Sequence, residues 1–78
     1  MQEFQIRFYM VEVFKTNVRS SGKAKLIIQK LAEKFPALKI NFDLKDSDKI
    51  LRVQGKHVSS EKIIQVLTEE NYQCKVLE

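Results

Sequence analysis

Apolar and polar side chains alternate one for one from Leu38 to Leu44, with Leu38, Ile40, Phe42 and Leu44 interleaving with Lys39, Asn41 and Asp43. A period of two marks a strand with one dry face and one wet face. Upstream the period changes. Between Lys23 and Phe35 the apolar residues Ala24, Ile28, Leu31 and Phe35 recur at spacings of four, three and four. That is the stripe of a helix. Ser20 or Ser21 supplies its cap, and Pro36 stops it by pushing the preceding residue out of helical geometry.

The rest of the chain divides by the same signals. Tyr9 to Asn17 (YMVEVFKTN) is β-branched and aromatic and predicts a strand, followed by the polar loop Arg19-Ser20-Ser21-Gly22. Lys45-Asp46-Ser47-Asp48 predicts a turn. Ile50 to Gln54 is then the returning strand, with Leu51 and Val53 inward, and Gly55 ends it. Ser59 or Ser60 caps a second helix whose apolar face is Ile63, Ile64, Val66 and Leu67. Asn71 closes that helix, and Tyr72 to Leu77 forms a last strand.

The predicted order is strand, helix, strand, strand, helix, strand. Two right-handed crossovers joined by a hairpin place both helices on one face of a four-stranded antiparallel sheet, a ferredoxin-like α+β sandwich over residues 10–78. Residues 1–9 precede this unit. Phe4, Ile6 and Phe8 alternate with Gln5 and Arg7, so this segment is either a frayed leader or the start of a long first strand. A long first strand would offer unpaired backbone to a second copy, giving a homodimer through the N-terminal strand.

Composition narrows the function classes. At 78 residues and 9.2 kDa there is room for one domain with a thin core. No apolar run approaches the roughly 18 residues of a membrane span, and Arg7 and Glu12 interrupt any signal-peptide core, so a cytoplasmic location is expected. One cysteine, Cys74, and one histidine, His57, exclude an internal disulfide and a four-ligand zinc site. They also leave no nucleophile–base grouping or phosphate loop, so no enzyme is expected. Residues 1–39 carry eight basic and three acidic side chains, residues 40–78 six and seven. A basic first half implies an acidic protein surface as partner. Nucleic acid is disfavoured, because Ile50-Leu51-Arg52-Val53-Gln54 has no aromatic with which to stack bases.

Phe14 to Lys23 (FKTNVRSSGK), the alternating strand, the serine-capped second helix and the ending Asn71-Tyr72-Gln73-Cys74-Lys75-Val76-Leu77 together resemble the heavy-metal-associated domain of copper chaperones and metal-pumping ATPases. The family's signature is MxCxxC at the start of the first helix, and its usual ending is GYxAxVL. Aligned on Ser21-Gly22, the methionine falls on Val18, the first cysteine on Ser20 and the second on Lys23. A hydroxyl is a poor ligand for soft Cu(I), and an ammonium would sit where the metal would. No metal is therefore expected at this loop. Ser20 is assigned as a helix cap, Val18 as core and Lys23 as solvated.

Two features remain. Lys23, Lys30 and Lys34 fall on one edge of the first helix with Leu26 beyond them, and Arg19 precedes them. The resemblance implies that this helix and its loop form the partner-docking surface. The expected function is therefore a non-enzymatic binding module that touches its partner through Arg19, Lys23, Leu26, Lys30 and Lys34, with no cofactor. The alternative is a soft-metal-binding or metal-transport protein for Cu(I) or Zn(II) that uses Cys74, within one chain or shared across a dimer. Tyr72 matches the family position that packs beside the loop, and its expected role is a core aromatic with its hydroxyl at the rim. His57 is assigned to a solvent-facing loop.

Overall fold

The computed structural model describes residues 9–77. The elements follow the predicted order: β1 Met10–Thr16, α1 Ser21–Lys34, β2 Lys39–Asp43, β3 Ile50–Gly55, α2 Ser60–Glu69 and β4 Cys74–Val76. The sheet is antiparallel with strand order β2-β3-β1-β4, so β1 and β3 are central and β2 and β4 are edges. This is the ferredoxin-like α+β arrangement. The expectations for residues 1–8, including pairing through an N-terminal strand, lie outside the described residues.

Register fixes which side chains meet. Phe14 lies opposite Leu51 and Val76, Glu12 opposite Val53, and Phe42 opposite Leu51. Phe14, Leu51 and Val53 are completely buried on the inner face, with Leu31 of α1 and Ile63 and Leu67 of α2 packed among them. Burial of this kind is worth roughly 1.5–3 kcal/mol per large aliphatic side chain, which is what holds so small a domain together.

Both helices start on serine caps. Ser20 Oγ accepts from Lys23 N at 3.1 Å, and Ser59 Oγ accepts from Lys62 N at 3.4 Å. α2 ends as Asn71 predicted, in left-handed geometry at φ 70°. There Asn71 N donates to Thr68 O (2.9 Å) and Tyr72 N donates to Leu67 O (2.9 Å). These two bonds satisfy carbonyls that the helix end would otherwise leave unpaired.

Two expectations are corrected. The buried stripe of α1 is Ala24, Ile27 and Leu31, whereas Ile28 and Phe35 are half-buried. The helix packs down on the sheet and sideways against α2, so its dry arc is wider than the 24-28-31-35 row and takes in Ile27. β4 is shorter than Tyr72 to Leu77, because only Cys74–Val76 aligns with β1. Ile50 is buried as well, yet the register that turns Leu51 inward puts Ile50 on the opposite face with Arg52 and Gln54.

Candidate functional site

The loop from Asn17 to Ser20 connects β1 to α1, and its form follows from Thr16. Thr16 is inward-facing and buried at the end of β1. Its hydroxyl donates to Lys49 O at 2.6 Å and accepts from Val18 N at 3.2 Å. Its own amide donates to Asp48 O at 3.1 Å. One residue thus ties the loop to the β2–β3 turn. One position further on, Asn17 Oδ1 accepts from Gln73 N at 2.9 Å and ties the loop to the approach to β4. Val18 then turns its side chain fully into the core.

The three positions that align with MxCxxC therefore have defined places. Val18 is core. Ser20 Oγ is engaged by the Lys23 amide, so the two positions that align with the signature's cysteines are linked to each other by a helix cap. The Lys23 side chain is exposed. The first turn of α1 holds no acidic residue, so no carboxylate offsets the positive end of the helix dipole there.

The predicted docking residues lie along the solvent side of this element. Arg19, Lys23 and Lys34 are exposed. Leu26 is 60% exposed, the largest exposure among the exposed large apolar side chains of the described residues. Beside it, Lys23, Leu26, Ile27, Glu70 and Tyr72 line a depression of about 150 Å³. Lys30 joins the row differently, because its ammonium lies 2.9 Å from the carboxylate of Glu70, the residue that caps the end of α2. The hydrogen bond and charge of Glu70 raise the Lys30 pKa. Glu70 thus shares the charge of Lys30, and the basic edge runs through Arg19, Lys23 and Lys34. No sequence signal marks Glu70, since its place beside α1 follows only once both helices pack on one face. Thr16 and Asn17 were likewise missed, although a threonine and an asparagine closing a strand are side chains able to bond nearby backbone.

Tyr72 is half-buried against the core, at the rim of that depression, as expected. Cys74 lies opposite Thr16 on the inner side of β4, half-buried, and burial pushes its thiol up to about 12. His57 is exposed and follows Gly55, which pairs with Met10 at the other end of β1. The six steps from Met10 to Thr16 put about 20 Å between those ends at roughly 3.3 Å per residue. The structure therefore does not bring Cys74 and His57 together. Among the described residues no three His, Cys, Asp or Glu side chains are grouped as metal ligands. No helix there is long and apolar enough to cross a membrane.

Searches of protein-family models, curated proteins and solved structures find no match to the chain.

Proposed function

We propose that this protein is a small non-enzymatic interaction module, built on a heavy-metal-associated-like frame whose loop carries no thiolates, and that it docks an acidic protein surface through α1 and the loop before it. The observation that carries this reading is Leu26, 60% exposed beside a basic edge formed by Arg19, Lys23 and Lys34. An apolar centre with a charged rim is the make-up of a modest docking surface. Two further features support it. The start of α1 lacks a carboxylate, so a partner's acidic side chain would meet both the helix dipole and Lys23. The depression beside Leu26 offers a seat for a small apolar side chain. Lys30 contributes least, since Glu70 already holds it.

The test is affinity capture from cells that express the protein, comparing wild type with a Lys23→Glu/Lys34→Glu double variant. An acidic partner should be retained by wild type, released as ionic strength rises, and lost from the variant, because exposed attraction is screened by salt. Retention of the same partners by both proteins would overturn the assignment of this surface.

A further inference from the structure

We propose that β2 is a self-complementary edge through which two copies of this chain pair antiparallel, joining their sheets into one. The argument starts from burial. Leu38, Ile40, Phe42 and Leu44 all face inward, yet all four are only half-buried, whereas Leu51 and Val53 beside them on β3 are fully covered. The reason is that β2 is an edge strand, with no further strand beyond it among the described residues. Between this strand and α1 runs a groove of about 760 Å³, its apolar wall formed by Ala24, Ile28, Phe42 and Leu44. Every second residue of an edge strand also turns an unpaired N–H and C=O outward.

The sequence of the strand specifies the occupant. Leu38-Lys39-Ile40-Asn41-Phe42-Asp43-Leu44 read against itself about Asn41 places Leu38 opposite Leu44, Lys39 opposite Asp43 and Ile40 opposite Phe42, each pair occurring twice. On the outer face this makes two Lys39–Asp43 ion pairs flanking an Asn41–Asn41 contact at the twofold axis. On the inner face the second copy's Leu38 and Ile40 fall beside Leu44 and Phe42, at the groove's apolar wall. Charge and apolar character thus match in one register. A shift by one residue would set Lys39 against Phe42 or Leu44 and turn apolar residues to the wet side. The interface is isologous and closed, so it makes dimers and no filament. It leaves Leu26 and Lys23 outside, and therefore stands or falls independently of the docking surface proposed above.

The experiment is sedimentation equilibrium of the whole chain and two single variants, Lys39→Asp and Asp43→Lys, alone and mixed. Both sites are exposed on the outer face, and the fold of each variant is checked by circular dichroism. Wild type should show a concentration-dependent mass approaching twice 9.2 kDa. Each variant alone sets like charges opposite one another and should weaken the dimer by about tenfold or more. Mixed in equal amounts, the two variants restore both ion pairs and should recover the dimer. A wild type that stays monomeric into the millimolar range, or a dimer indifferent to both substitutions, would overturn the proposal. So would a mixture no stronger than its components, since the register would then be wrong.

Discussion

Cys74 shows how placement decides what a residue can do. A thiol binds soft metals and reacts as its thiolate. Opposite Thr16 on the inner side of β4, burial moves its pKa from about 9 to about 12, so at neutral pH it keeps its proton. Because the folded pKa is the higher one, the associated stability is fully present below pH 9. It is lost as pH rises towards 12, as the unfolded chain ionises first. Cys74→Ala should therefore flatten the decline in stability between those limits, measured by urea denaturation at a series of pH values. The same burial predicts that iodoacetamide at pH 8 alkylates the native protein at least about 100-fold more slowly than the urea-unfolded chain. Equal rates would show an accessible, ionisable thiol and would reopen the soft-metal reading of Cys74.

At the scale of elements, the segment between β1 and α1 is decided by hydrogen bonds that span the chain. Thr16 lies 33 residues from Lys49, yet its hydroxyl joins the two at 2.6 Å while also receiving the Val18 amide. Thr16→Val keeps the shape and removes both bonds, leaving a buried N–H and a part-buried carbonyl unsatisfied. The expected loss is about 2 kcal/mol in chemical denaturation. Asn17→Ala removes only the exposed bond to Gln73 and should cost about half as much or less. The elements themselves were legible, because alternation over residues 38–44 and the stripe from Ala24 to Phe35 are local properties of β2 and α1. Serine caps and the left-handed Asn71 were legible for the same reason. What was not legible is whatever depends on the partner element. Ile27 displaces Ile28 from the centre of the core because α2 covers that side, and the charge of Lys30 is offset by Glu70 at the end of α2. The shortness of β4 likewise follows from where β1 ends and not from the residues after Asn71.

For the whole molecule, one consequence of the topology matters most. Both helices cover the inner face, so α1 turns its outer edge to solvent while β1 and β3 present Val11, Val13, Lys15, Ile50, Arg52 and Gln54 on the opposite face. Those six positions hold no aromatic residue. The concentration of positive charge in the first half of the chain is expressed instead along α1, around Leu26. The β2 edge is a third and separate surface, directed at a second copy. Attraction by α1 and pairing by β2 are compatible, since a dimer would present two basic edges to one acidic partner and strengthen its capture through effective concentration.

The central claim is that Leu26 and its basic rim contact the partner. A photo-crosslinking side chain placed at Leu26, with a second at Arg52 on the opposite face, tests it directly in cells that express the protein. The account predicts an adduct with an acidic protein from position 26, none from position 52, and loss of that adduct when Lys23→Glu is added. Adducts from position 52 alone, or from position 26 unchanged by Lys23→Glu, would contradict it.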